Sequence, residues 1–527
     1  MPTKLRPVVH VTPTATGLHF RGWTSSFTVE AGAGLARLWE RLAGPLAAGV
    51  EDSWLTPAQH TPAPVAAAIA SIMANLRDHD MLVTVPPGWG EPGPGMPAPK
   101  VAAWLESSAA DPAAAWALLR AVTVDLDGPG PLVEAARRSL AATGVRVGSV
   151  GPGTELVLVA GDLAVRAGCA GETGFVTVAG TKAEAQRTAA AVWARLGVEP
   201  AACPPDVLAA LVGSAAVHRV VCAAAGMSDP ADEAAESSTS TGPREPARVL
   251  VATLEPFQAR YHPMPHPEAT PAEAVAFADA LAAIEVAADP VLGAWPPVEL
   301  GDLPQVPASL AVCAGTLGVG TTADAARLDA ALRHAGATAP AGVQVGADGM
   351  HARGLVLRVA ARGRLLGDAG PVADTEWAAD PTARRWWKAL TLRYAVPASV
   401  RIARLTEHAV HAEISAGGRG LAWAVERTAA DAVAFATLAA VGVEQARRAG
   451  VSSAPVLLSG AAPAWTPEST TDVPWQSRDW HWPHGVRDGE ERLQSSLIEV
   501  LGTPLASTFG RSAGIAAYAP GAVEVRR

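Results

Sequence analysis

Apolar and polar positions alternate with a period of two in three short runs near the N-terminus, "PVVHVTPTA", "GLHFRGW" and "SSFTVEA". Successive side chains of a strand point to opposite faces, so this alternation predicts a half-buried three-stranded sheet, with turns at Thr16-Gly17 and Thr24-Ser25. The period then lengthens to that of a helix. In "GLARLWERLAG", Leu35, Leu38, Trp39 and Leu42 share one face, and Gly44-Pro45 predicts the stop. Beyond a proline-broken loop, Val65, Ile69, Ile72, Met73 and Leu76 form a second apolar stripe. Residues 1–85 thus read as a winged-helix-like module of three strands plus helices.

The stretch "PPGWGEPGPGMPAPK" holds too much Pro and Gly for regular structure, and marks residues 86–115 as a linker with a short helix. Residues 116–265 switch between periods: strand "AVTVDL", helix "PLVEAARRSLAATG", strand "VRVGSV", then "TELVLVAG". That alternation is typical of a doubly wound parallel sheet, and two further helices and the strand "RVLVATL" complete an α/β unit. Residues 225–247, rich in Ser, Thr, Glu and Pro, read as a mobile insertion. In residues 266–527, "GVGTTADAARLDAALRHAG" and "AVHAEISA" with "TAADAVAFATLAAVGVEQARRAG" make two strand-to-helix units, each helix starting at Thr. They predict one further α/β domain, ending in a short amphipathic helix. The expected fold class is α/β multidomain.

Length agrees, since 527 residues exceed what one core supports. Much of the 49% hydrophobic content is alanine and only 5% is aromatic, so many apolar stretches are Ala-rich helices. The net charge of −10, without a Lys/Arg block, disfavours nucleic-acid binding. The N-terminus lacks the apolar core of a signal peptide, and no run of large apolar residues is long enough to span a bilayer. A cytoplasmic, soluble protein without membrane contact is expected. Cys169, Cys203, Cys222 and Cys313 form no CxxC pair, which points to inert core residues rather than zinc or dithiol chemistry.

The order of these parts resembles the azoline-forming cyclodehydratase partner proteins of ribosomal peptide pathways of thiopeptide type, the ocin-ThiF-like group. "TGLHFRGWTSSFTVEAGAGLARLWERLAG" is similar to their leader-peptide recognition element. There the precursor's leader adds as a strand, which implies an edge at Ser26, Phe27, Thr28, Val29 and Glu30 and a groove wall of Ile69, Ile72, Met73 and Leu76. Residues 116–265 resemble ThiF-type adenylating domains, which hold ATP on a Gly-rich loop and zinc on a cysteine tetrad. Here the loop is "DGPGPL", whose Pro129 and Pro131 have no N–H to donate, and the tetrad is missing. Residues 266–527 resemble the YcaO fold, in which glutamates on two helices bind magnesium and ATP. Those positions fall on Arg333, Gly336, Ala439 and Gly442, which offer no carboxylate to a hard cation. A slip in the match would bring Asp329 or Glu444 nearer without restoring the full set.

Other candidates are weaker. His262/His266 and His481/His484 have metal-like spacings, but a proline in each segment argues against a helix that would bring them together. His408 and His411 fall on opposite faces of a strand. Ser415 and Ser459 lack a nucleophile elbow. Trp475, Trp480 and Trp482 suit either a partner anchor or a strap on their own domain, and Arg384, Arg385 and Lys388 a solvated helix face. The expectation is a non-catalytic adaptor that presents a precursor peptide to a separate YcaO-type cyclodehydratase subunit. It would have no catalytic residue, metal or cofactor of its own, and a homodimer is among its expected assemblies. Two alternatives stay open: an ATP-dependent cyclodehydratase in its own right, or a flavin-dependent azoline dehydrogenase.

Overall fold

The three alternating runs form the strands His10–Pro13, Gly17–Arg21 and Ser26–Glu30 of one antiparallel sheet, with Gly17–Arg21 in the middle. Leu18 and Phe20 point into the core, opposite Val29 and Phe27 of the neighbouring strand. In this computed structural model the described residues are 1–527 except 24, 31–33, 52–53, 55–61, 199–203, 234–246, 265–271, 368, 465–476, 504, 508–515 and 520–527, with backbone alone at 477–481, 505–507, 517 and 519. The helix Gly34–Ala48 runs through Gly44-Pro45 instead of stopping there. A proline removes only its own N–H from the ladder, and Leu46, just beyond it, extends the buried face of Leu35 and Leu42. The helix Ala63–Asp78 packs beside it, and an unforeseen strand pair, Thr3–Leu5 with Leu82–Thr84, closes the module. Arg6, 5% exposed, donates to the Asp80, Glu106 and Ala109 carbonyls and to the Asp80 carboxylate, tying the module to the helix Pro99–Ser108.

The chain divides into two compact units, Met1–Thr239 with Arg248–His262, and Ser240–Ala247 with Pro263–Arg527. The first also contains a seven-stranded sheet, but not the expected parallel one. Thr123–Asp127 and Arg146–Gly151, joined through the helix Gly130–Thr143, are parallel; the pairs from Thr123–Asp127 through Leu156–Ala160, Leu163–Ala170 and Thr173–Val176 to Ala247–Leu254 are antiparallel. The reason lies in two tight turns, Gly161-Asp162 and Gly171-Glu172, each with its glycine at positive φ. So short a connection can only return the chain antiparallel. Beyond "RVLVATL" the run "EPFQARYHPM" supplies another strand, Phe257–Met264. The mobile insertion expected at 225–247 falls largely outside the described residues. In "DGPGPL", a Cβ on Gly128 would lie 2.9 Å from the Leu156 Cα, so the glycine lets the neighbouring strand pass close by.

In the second unit the hairpin Ser309–Cys313/Thr316–Gly320 leads into the helix Ala323–Thr338, and the sheet of Ala398–Thr406, Ala409–Ala416 and Arg419–Glu426 leads into the helix Ala429–Arg448. Thr322 and Thr428 cap these helices, accepting from the Ala325 and Asp431 N–H groups, as their sequence positions predict. The helix Gly349–Leu365 carries Arg358, fully buried between the carboxylates of Glu426 and Glu490. Among the described residues two helices are long and apolar enough to cross a membrane, Asp206–Ala224 and Ala429–Arg448. Of these stretches 56% and 89% are buried within the protein, which makes them core helices. The helix Ser477–Arg487 includes Pro483, so His481 and His484 lie on helical backbone after all.

Candidate functional site

Two places bring predicted site residues together. In the first unit the strand Ser26–Glu30 is the edge of its sheet and pairs only with Gly17–Arg21 among the described strands. Ser26, Thr28 and Glu30 are exposed, whereas Phe27 and Val29 are half-buried. The Phe27 ring stacks on Phe20 at 4.7 Å and on His79 at 4.9 Å, which anchors the strand from below. The expected groove wall divides: Ile72, Met73 and Leu76 are 0–2% exposed inside the module's core, and Ile69 alone reaches the surface. Periodicity placed all four on one helical face correctly, but a core-facing stripe and a groove-facing one look alike in sequence.

In the second unit a cavity of about 380 Å³ opens between the helices Ala323–Thr338 and Ala429–Arg448 and the segment after Leu457. Asp329 and Arg333, one turn apart, line it as an ion pair of 2.9 Å. Asp329 also accepts the Val319 N–H, and Arg333 donates to the Leu457 carbonyl. Enclosure by protein raises the Asp329 carboxyl above its ordinary value, while Arg333 opposes that rise. His351 lines the cavity and accepts the Ala347 N–H at Nδ1, a tautomer that leaves the proton on Nε2. Burial, with Arg487 and Arg358 nearby, pulls its pKa down to about 3, so the ring is neutral. Sequence reasoning missed His351; the signal available was Asp348 as a helix cap, whose carboxylate accepts the His351 N–H at 2.8 Å.

The positions implied for a magnesium–nucleotide site separate. Arg333 and Gly336 line the cavity, while Ala439 and Gly442 are buried in the helix core. A Cβ on Gly336 would meet nothing within 4 Å, but one on Gly442 would lie 2.5 Å from a Val319 methyl. Glu444 turns to Arg447 and Arg448, whose hydrogen bonds pull its pKa down to about 2. Among the described residues Asp329 is therefore the one carboxylate lining the cavity, and Arg333 neutralises it. The described residues do not fit a carboxylate-held magnesium triphosphate.

The remaining candidates resolve into packing. No group of three or more His, Cys, Asp and Glu is placed to hold a metal among the described residues. Cys169, Cys222 and Cys313 are buried and form no disulfide, and burial pushes Cys169 up to about 12 and Cys313 up to about 11. Cys203 lies outside the described residues. His262 sits on the strand Phe257–Met264, and His266 lies outside the described residues. His411 is buried on its strand and His408 lies in the preceding turn. Ser415 pairs with the Ser399 hydroxyl, and Ser459 lines the cavity while accepting the Ala461 N–H. The Trp482 indole packs on Phe435 at 4.3 Å and donates to Asp431, which makes it a strap on its own unit. Trp475 and the Trp480 side chain lie outside what is described. Arg384, Arg385 and Lys388 are on the exposed side of the helix Pro381–Lys388.

No protein-family model matches the sequence. No curated protein matches it either. Among solved structures, a heterocyclase in complex with substrate and cofactor is similar, with a TM-score of 0.50 at 11% identity over 99% of this chain and 95% of its own. The heterocyclase TruD is similar with a TM-score of 0.46 at 11% identity, over 100% of this chain and 95% of its own. E. coli MccB with AMPCPP and MccA matches with a TM-score of 0.33 at 10% identity, over 50% of this chain and 97% of its own. The expectation of a non-catalytic chain is corrected here, because a structure similar over 99% of the chain is that of a heterocyclase. The α/β multidomain expectation holds, and the fold is heterocyclase-like.

Proposed function

We propose that the protein is a heterocyclase-type enzyme acting on a ribosomally made precursor peptide. The observation that supports this reading is the correspondence of fold with a heterocyclase over 99% of the chain. In such a ring closure the hydroxyl or thiol of a Ser, Thr or Cys loses its proton and bonds to the preceding carbonyl carbon, the amide nitrogen loses its proton as C=N forms, and the carbonyl oxygen leaves with both protons as water. The unpaired edge of Ser26–Glu30 suits the peptide's leader, since its backbone N–H and C=O groups would be completed by one added strand. Phe27 and Val29 lie half-buried on that edge, and a leader held there raises the concentration of its core segment around the same chain.

The test is direct. Purified protein incubated with a precursor peptide, with and without ATP and magnesium, is expected to yield peptide lighter by one water per ring by mass spectrometry. Peptide that stays intact under both conditions, while its leader binds by fluorescence anisotropy, refutes the enzyme reading.

A further inference from the structure

The cavity of the second unit is walled largely by carbon, from Phe277, Leu328, Leu332, Val345, Phe435 and Leu457. Its ion pair, Asp329 with Arg333, is neutral as a whole, so it presents neither the net positive charge that would draw a phosphate nor a spare carboxylate for a cation. The other polar groups of the lining are neutral: Thr316, Thr321, Thr322, Gln344 and Ser459, together with His351, which spends Nδ1 on the Ala347 N–H and so keeps its proton on Nε2. At about 380 Å³ the space is within the usual range of ligand pockets, roughly 300–1,000 Å³, which combine an apolar lining with a few placed polar groups. Gly336 keeps one wall open, with nothing within 4 Å of where its Cβ would stand.

We propose that this cavity binds an uncharged, largely apolar ligand carrying a carbonyl acceptor, and that its occupant is a hydrophobic residue of the substrate peptide. The carbonyl would accept from His351 Nε2 and the side chain would lie among the leucine and phenylalanine groups. The peptide as source rests on the heterocyclase reading, whereas the preference for a neutral ligand over a magnesium–nucleotide rests on the cavity alone. Such a contact would select which peptide segments dwell near the chemistry, through an apolar residue rather than through the reacting Ser, Thr or Cys.

The neutral dye N-phenyl-1-naphthylamine, whose fluorescence rises in apolar surroundings, is the probe. With the full chain, saturable binding of one dye per chain is expected, displaced by N-acetyl-L-phenylalaninamide and by the precursor peptide but not by magnesium-ATP. Gly336→Trp fills the open wall with a better helix former, and should weaken dye binding by about tenfold or more. Ala337→Phe, at the exposed rim of the same lining, is the second variant in case the first melts early. Displacement by magnesium-ATP, absence of a saturable site, or undiminished binding in both variants overturns the proposal. Competition by the amide but not by the peptide overturns the peptide as occupant. Ring formation is read separately by mass, so a chain that closes rings without binding the dye sinks this proposal alone.

Discussion

Arg358 lies between Glu426 and Glu490 with all three side chains fully buried, and one cation faces two acids. Burial pushes the Glu426 carboxyl up to about 7, against the pull of Arg358. Between its ordinary value of 4.5 and about 7, the folded protein keeps a proton that the unfolded chain has released. This group's contribution to stability therefore falls as pH rises across that window and is level above it. Glu426→Gln should be less stable overall yet lack that fall, so the melting-temperature gap to wild type should narrow from pH 5 to pH 8. A gap independent of pH would mean that Glu426 is ionised throughout. His411 acts in the opposite sense. Burial holds its ring near pKa 4, and the stability it supports is lost as pH drops from 6.5 towards that value. The sequence shows none of this, because Arg358, Glu426 and Glu490 come together only in the tertiary fold.

At the scale of elements, strands with one wet face were legible from alternation, as Gly17–Arg21 and Ser26–Glu30 show. The direction of the seven-stranded sheet was readable too, had Gly161-Asp162 and Gly171-Glu172 been taken as hairpin turns. The Ala63–Asp78 helix marks a real limit, for its stripe serves two surroundings. Met73→Ala empties core volume and should lower stability by about 2–5 kcal/mol while leaving leader affinity nearly unchanged. Ile69→Asp, at the half-buried position of the same stripe, should cost less stability than Met73→Ala and weaken leader binding by about tenfold. Chemical denaturation and anisotropy on the two variants separate these effects. A loss of affinity confined to Met73→Ala would place the leader against a different surface.

For the whole molecule, two compact units predict more than one heat-absorption transition in calorimetry. Arg358→Met should shift only the transition of the second unit, since it strands two buried carboxylates there at about 3–5 kcal/mol. Arg6→Ala, which removes the tie to Glu106 and Ala109, should shift only that of the first. A single transition moved equally by both variants would contradict this independence. Two helix glycines of the second unit, Gly336 and Gly442, also constrain which sequences the protein can reach by single steps. A side chain at 336 meets open space, so that position can vary without preparation, whereas any side chain at 442 collides with Val319. Val319 must shrink first. Substitutions here have an obligatory order, and a lineage that has filled this space with valine can place any larger side chain at 442 only through that earlier loss of packing.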